Sequence, residues 1–221
     1  MSQFVEYAAH GVVGLLAIMN PLGNAPIFGT MVDRLPLRKQ QVAAVRTSLL
    51  IFGILVIAAI VGRPLLQAFG VSLSAFRVAG GLVIGAMGWR MLMGSASIEA
   101  ERHTDNEEIR ERLLVPFAMP MVAGPGTITA VISLGVREPG VVPTSTLMAV
   151  AIACAATLAT LLVFVRIESY IPRETLRVVT RFMGLVLVAI GVQFVLAGWT
   201  DFSAAGSEPG AVPPPLTMVS E

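Results

Sequence analysis

The chain is too apolar for a soluble domain: of its 221 residues, 55% are hydrophobic and only 13% are charged, and the mean hydropathy is +0.80. Soluble domains carry about 25% charged residues, so the composition predicts an integral membrane protein. The net charge of +1 argues against a nucleic-acid partner, and the single cysteine, Cys154, excludes an intramolecular disulfide.

Six apolar segments are long enough to cross a lipid bilayer as helices, which takes about 20 residues each. We place these spans near residues 4–31, 43–62, 72–93, 113–136, 146–165 and 176–199. Residues 1–94 and 113–200 then form two units of three spans, which a charged cytoplasmic connection at 95–112 joins. The Pro-rich tail at 201–221 is predicted to be disordered.

The basic residues predict the orientation of these spans. If the N-terminus lies outside, the loops after the first, third and fifth spans are cytoplasmic, and with their flanks they hold twelve of the fifteen Lys and Arg residues. The outer side holds Arg63, Arg77 and Arg137. Because short cytoplasmic loops carry an excess of Lys and Arg, we predict a bacterial inner-membrane protein with both termini in the periplasm. No Lys or Arg precedes the first span, unlike in a cleavable signal peptide, so we expect this span to be retained.

Polar and helix-breaking residues interrupt two of the spans, with IMNPLGNAPIF at 18–28 and MVAGPGTITAV at 121–131. The apolar run before the first break gives roughly 24 Å of helix, which is short of the ~30 Å hydrocarbon core. Both breaks are therefore predicted at membrane depth, where non-helical backbone is tolerated if it lines a cavity or is buried in protein. We predict Asn24 and Thr127 as N-caps of the following half-helices. Proline kinks that only shape helix packing are the alternative interpretation.

An internal repeat relates the two halves. RVAGGLVIGAMG at 77–88 matches RFMGLVLVAIG at 181–191 with a one-residue slip, and the two Pro-Gly breaks are about 104 residues apart. Since each half has an odd number of spans, the second half enters the membrane inverted, as in many secondary transporters. The small-residue spacing of Gly81 and Gly85 predicts close helix packing.

Two breaks brought together by this symmetry would present backbone amides and carbonyls at one point, which suits the carboxylate and the ammonium of a zwitterion. The predicted substrate-binding residues are Met19, Asn20, Pro21, Gly23, Asn24, Ala123, Gly124, Pro125, Gly126, Thr127 and Thr129. Thr129 and Ser133 share one helix face, so their hydroxyls either line this pocket or bond back to their own helix. The chain shows no metal-ligand spacing and no nucleotide-binding P-loop, and we expect no metal or cofactor.

The two interrupted stretches also resemble a known family. NPLGNAPIF at 20–28 and AGPGTIT at 123–129 resemble the paired signatures of the MarC family, six-span bacterial inner-membrane proteins that are similar to small neutral amino acid transporters. The resemblance covers nearly the whole chain except the Pro-rich tail. It implies an inverted three-plus-three fold in which the substrate lies between the broken first and fourth spans. The residues that match the motifs are Asn20, Pro21, Gly23 and Pro26 in the first, and Gly124, Pro125, Gly126 and Thr127 in the second.

Four further polar residues have two interpretations each. Arg77 and Arg181 either snorkel to the interface or cap carbonyls there, or they latch a gate. Gln193 is expected to hydrogen-bond across helices, with direct contact to substrate as the alternative. His10, in the outer half of the first span, is either a structural residue or part of a proton relay.

The leading hypothesis is a secondary transporter of a small neutral amino acid such as glycine or alanine. The small residues Ala25, Ala123, Gly124 and Gly126 beside the breaks leave little room for large side chains. The alternatives are an exporter of another small solute and a non-transporting membrane partner protein that docks through 95–112. An enzyme is not expected, because there is no G-x-S-x-G, no His-Glu pair and no buried Asp dyad. The sequence leaves the direction of transport, a coupling ion and a homo-oligomer open.

Overall fold

The computed structural model describes residues 2–33, 35–94, 122–137 and 143–206, and all the regular structure in these ranges is helical. The α-helices there are α1 Ser2–Met19, α2 Pro21–Val32, α3 Leu37–Ala68, α4 Leu73–Leu92, α5 Pro125–Arg137, α6 Thr144–Ile167 and α7 Arg173–Gly206. A 3-10 turn, Glu168–Tyr170, connects α6 to α7. The predicted all-α class is confirmed over these ranges. The connection at 95–112 and the first part of the predicted fourth span, 113–121, lie outside the described residues.

Helix lengths and composition support the membrane assignment. In the described part of the chain, Leu37–Ala68, Thr144–Ile167 and Glu174–Ala204 are long and apolar enough to cross a membrane. The helices Ala8–Met19 and Pro21–Val32 make a fourth span if they count as one, with a bend of 41° between them. Pro125–Val136 is a shorter apolar helix. The protein is therefore an integral membrane protein. Of the six predicted spans, these helices supply three, or four if the bent pair is one span.

Two helices extend beyond their predicted ends. The span predicted at 43–62 is part of α3, which begins at Leu37 and continues through Pro64 to Ala68. The span predicted at 176–199 is part of α7, which ends at Gly206, so residues 201–206 of the predicted disordered tail are helical. A charged residue ends an apolar run in the sequence but does not end the helix, because its side chain reaches water while its backbone stays hydrogen-bonded.

Helices α4 and α7 form the most extensive helix pair in the described ranges. They pack antiparallel through glycines: a Cβ built on Gly81 would lie 2.7 Å from the Gly191 carbonyl oxygen, and one built on Gly184 would lie 2.7 Å from the Gly88 carbonyl oxygen. Small residues allow backbones to approach this closely in membrane proteins. The predicted close packing through Gly81 is confirmed.

Two apolar clusters fill the interior. The central cluster joins α1 through α7, and its buried members include Leu15, Ile18, Met19, Ile27, Ile51, Leu55, Ile84, Met91, Val122, Ala123, Val131, Ala149, Ala153 and Leu187. The α2 cluster joins α2, α3 and α6 through Ala25, Phe28, Val32, Leu35, Ala44, Leu161, Phe164 and Val165. The central cluster contains side chains from the end of α1, before the first break, and from both sides of the second break.

Candidate functional site

The first break is a single residue, Asn20, between α1 and α2. Its backbone is left-handed, with φ 45° and ψ 57°, a conformation that asparagine tolerates better than most residues. Its Oδ1 accepts a hydrogen bond from the Gly23 amide at 3.1 Å, and Pro21 occupies the first position of α2, where its missing N–H costs nothing. Asn20 is therefore the N-cap of α2, and the prediction that Asn24 caps it is wrong.

The second break lies between Val122 and Pro125. Val122 is helical, Ala123 and Gly124 are not, and α5 begins at Pro125. The Ile128 amide donates to the Gly124 carbonyl at 3.0 Å. Helix α5 starts two residues before Thr127, so Thr127 lies within its first turn and the prediction that it is the N-cap is also wrong.

Asn24 and Thr127 instead make equivalent hydrogen bonds, one at each break. Asn24 Nδ2 donates to the Met19 carbonyl at 2.9 Å, and Thr127 Oγ1 donates to the Val122 carbonyl at 2.7 Å. Each side chain reaches back five residues to a carbonyl at the end of the preceding helical segment. Because a buried carbonyl needs a partner, these two bonds hold the ends of the breaks in place.

Most of the predicted substrate-binding residues are buried. Of the first set, Pro21 is half-buried and the others are buried: Met19, Asn20, Gly23 and Asn24. Of the second set, Pro125 is exposed and the others are buried: Ala123, Gly124, Gly126, Thr127 and Thr129. The Thr129 hydroxyl donates to the Pro125 carbonyl at 2.8 Å, so it bonds back to its own helix rather than into a pocket.

One face of α4 contacts both breaks. The side-chain Nδ2 of Asn20 lies 3.9 Å from Met91 Sδ, and a Cβ added to Gly126 would clash with the Ile84 side chain. Ile84 and Met91 are seven residues apart on α4, which corresponds to about 10 Å along the helix. The two breaks therefore contact α4 at points about 10 Å apart along that helix. Neither α4 residue was predicted from the sequence, although their seven-residue spacing places them on one face of a helix.

A polar cluster lies at the C-terminal end of α5. Arg77 of α4 donates through Nε to Ser133 Oγ at 3.3 Å and forms an ion pair through its NH1 nitrogen with Asp201 of α7. The Arg77 side chain is only 7% exposed, whereas that of Asp201 is 49% exposed. Snorkelling does not describe this buried, paired arginine. Ser133 is likewise engaged with Arg77, while Arg181 is exposed.

Gln193 and His10 lie outside the buried site. Both side chains are exposed, and the expected interhelical hydrogen bond of Gln193 is not found among the described residues. Two other buried hydroxyls were not predicted: Thr47 Oγ1 and Ser48 Oγ of α3 have no hydrogen-bond partner among the described residues. Ser and Thr are common in membrane helices, so nothing in the sequence distinguishes Thr47 and Ser48 from other hydroxyl residues.

Loss of either bond that closes a break should destabilise the protein. Asn24→Ala leaves the Met19 carbonyl buried and unpaired, and Thr127→Val does the same to the Val122 carbonyl. We expect each to lower the free energy of unfolding by about 1–3 kcal/mol, measured by chemical unfolding in detergent. The matched control is Thr160→Val, because the Thr160 hydroxyl donates to a carbonyl in the interior of α6 that the helix already pairs. Equal stabilities for all three variants would contradict a role in closing the breaks.

Comparisons with known proteins place the chain among membrane proteins of one family. The model of the MarC family integral membrane proteins matches residues 5–202. A UPF0056 membrane protein of Pyrococcus abyssi is 33% identical over 186 residues, covering 84% of this chain and 90% of that protein. The Bacillus subtilis UPF0056 membrane protein YvbG is 30% identical over 201 residues, 87% of this chain and 94% of its own. The Citrobacter koseri UPF0056 inner membrane protein MarC is 30% identical over 205 residues, 85% and 91% of the two chains. No solved structure matches.

Proposed function

This chain belongs to the MarC family of integral membrane proteins, and we propose that it is a secondary transporter of small neutral amino acids such as glycine and alanine. The observation that carries the proposal is the pair of helix breaks with matching hydrogen bonds, Asn24 to Met19 and Thr127 to Val122, which one face of α4 contacts. Breaks of this kind form the substrate sites of many secondary transporters.

In this proposal the two halves form an inverted repeat of six spans, with the first and fourth broken. A shift of 103 positions relates Asn24 to Thr127, Met19 to Val122, Gly81 to Gly184 and Gly88 to Gly191. The same shift exchanges the two glycine contacts between α4 and α7. Helix α5 packs on α3 and α4, and α2 packs on α6 and α7, as the exchange of halves requires. These correspondences are structural and support the repeat independently of the weak sequence match.

Backbone groups would supply the solute's binding partners. Pro21 and Pro125 carry no N–H, and the Gly23, Asn24 and Ile128 amides are bonded at their breaks. The Gly126 and Thr127 amides in the first turn of α5 have no carbonyl one turn earlier in their own helix, and helix N-termini attract carboxylates. The carbonyls that end α1 and the segment at Val122 have one side-chain partner each and a second lone pair free for an ammonium group. The two α4 residues that contact the breaks are about 10 Å apart along the helix. This separation, and the small residues Ala25, Ala123 and Gly126 beside the breaks, favour a small solute over a large one.

The proposal places the protein in a bacterial inner membrane with both termini in the periplasm. Its support is the excess of Lys and Arg in the loops assigned to the cytoplasm. The Citrobacter koseri relative is named an inner membrane protein. A coupling ion and assembly of several copies are compatible with this arrangement.

Counterflow in liposomes tests the function directly. Purified protein is reconstituted into vesicles loaded with unlabelled alanine, and entry of labelled alanine and glycine is followed. We expect saturable accumulation that glycine and alanine compete for and that leucine and phenylalanine do not, with protein-free vesicles as the control. Absence of counterflow and of binding for every small neutral amino acid would contradict the proposal. Movement of another small solute in their place would favour the exporter alternative.

A further inference from the structure

Two buried hydroxyls on α3 have no hydrogen-bond partner within the described part of the chain. Thr47 is 1% exposed and Ser48 is 5% exposed, and Thr47 Oγ1 and Ser48 Oγ are the buried side-chain polar atoms without a hydrogen bond in the part of the chain that the structure describes. We refer to these two atoms as the hydroxyl pair. Buried polar groups in proteins are nearly always hydrogen-bonded, and an exception calls for a physical reason.

The usual solution for a buried hydroxyl in a helix is a bond to the carbonyl four residues earlier. This protein uses it elsewhere: the Thr157 hydroxyl donates to the Ala153 carbonyl at 2.8 Å, and Thr129 and Thr180 do the same on their helices. The hydroxyl pair does not use it. Within the described ranges, no protein group completes the hydrogen bonds of its two oxygens.

The hydroxyl pair lies on the buried stripe of α3 that contributes to both apolar clusters. On the buried stripe of α3, Ala44 one turn earlier belongs to the α2 cluster, together with Ala25 just after the break. Ile51 one turn later belongs to the central cluster, together with Met19 just before the break and Val122 beside the second one. The hydroxyl pair thus interrupts the apolar stripe of α3 between these two clusters, which together contain Met19 before the first break and Ala25 and Ile27 after it.

We infer that Thr47 and Ser48 are solute-binding residues of the proposed transport site, with hydroxyls that hydrogen-bond the bound amino acid. This assignment rests on the proposed function. The first turn of α5 already supplies amide donors for a carboxylate. Hydroxyl oxygens add further neutral acceptors for an ammonium group to the carbonyls of Met19 and Val122. An uncharged pair also suits a neutral solute, because it adds no net charge to a site within the membrane.

Binding of L-alanine to the purified full-length protein tests the inference. Thr47→Val and Ser48→Ala remove the hydroxyls with little change of shape, and each should raise the Kd for L-alanine about tenfold or more. In the absence of ligand, the Tm of both variants should equal or exceed that of the unchanged protein, because an unpaired buried polar group has been removed. The matched control is Thr157→Val, which loses a hydroxyl that is already bonded to its own helix and should keep the original Kd.

The outcomes separate this inference from the proposed function. An unchanged protein that binds L-alanine, together with hydroxyl variants that bind it equally well, overturns the assignment of Thr47 and Ser48 and leaves the function standing. An unchanged protein that binds neither L-alanine nor glycine overturns the proposed function and the assignment with it. A fall in the ligand-free Tm of both variants would also count against the inference, since it would show that the hydroxyls have partners within the protein.

Discussion

Gly191→Ala should destabilise the protein by about 2–3 kcal/mol, because the seam between α4 and α7 has no room for a methyl group. A Cβ at Gly191 would lie 2.6 Å from the Gly85 amide nitrogen and 2.7 Å from the Gly81 carbonyl oxygen. Both neighbours are backbone atoms, so no side-chain rotation relieves the overlap and the two helices must move apart. Overpacking of a well-packed interior typically costs 1–3 kcal/mol, and more where backbone must shift.

Gly85→Ala is the matched control for this prediction. Gly85 lies on the same seam, yet a Cβ built there has no atom within 4 Å. Alanine is also the better helix former by about 1 kcal/mol, so this variant should be as stable as the unchanged protein or slightly more stable. Chemical unfolding in detergent gives both values. Similar losses at Gly191 and Gly85 would show that the seam is not packed as described.

The proposed inverted repeat predicts a second tightly packed glycine on the same seam. The shift of 103 positions relates Gly191 to Gly88, and a Cβ on Gly88 would lie 2.6 Å from the Gly184 carbonyl oxygen. Gly88→Ala should therefore destabilise the protein about as much as Gly191→Ala. A large cost at Gly191 with none at Gly88 would contradict the equivalence of these two positions.

Local chemistry made the helices and the breaks predictable. An apolar run of bilayer length specifies a helix through its own composition, and a Pro-Gly element interrupts it through the missing amide of proline. The cap was not predictable to the residue. Asn20 and Asn24 are both good N-caps, and the choice of Asn20 depends on its left-handed backbone and on Pro21 as the first residue of α2.

Long-range polar contacts lay beyond the sequence. Arg77 and Asp201 are 124 positions apart, and nothing in either neighbourhood indicates that α4 and α7 pack antiparallel in a register that joins them. The orphaned hydroxyls of Thr47 and Ser48 depend on side-chain orientation, which hydropathy does not report. The contacts of Arg77 with Asp201 and Ser133 were therefore not predicted, whereas the helices that carry these residues were.

The unequal burial of the Arg77–Asp201 pair predicts unequal costs for losing either partner. Asp201→Asn removes the ion-pair partner of an arginine side chain that is 7% exposed, and removal of one partner of a buried pair costs about 3–5 kcal/mol. The remaining bond from Arg77 Nε to Ser133 places the expected loss near the lower value, about 3 kcal/mol. Arg77→Met leaves a carboxylate whose side chain is 49% exposed to solvent, so we expect a loss of only about 1 kcal/mol.

The double variant decides whether the two residues act as a pair. Once Arg77 is methionine, there is no buried charge for Asp201 to compensate, so Asp201→Asn in that background should cost less than about 0.5 kcal/mol. The combined variant should then be more stable than Asp201→Asn alone, an inversion that independent sites cannot produce. Unfolding of the four proteins in detergent completes the cycle. Additive losses, or a larger cost for Arg77→Met than for Asp201→Asn, would contradict a buried arginine that depends on Asp201 for its charge balance.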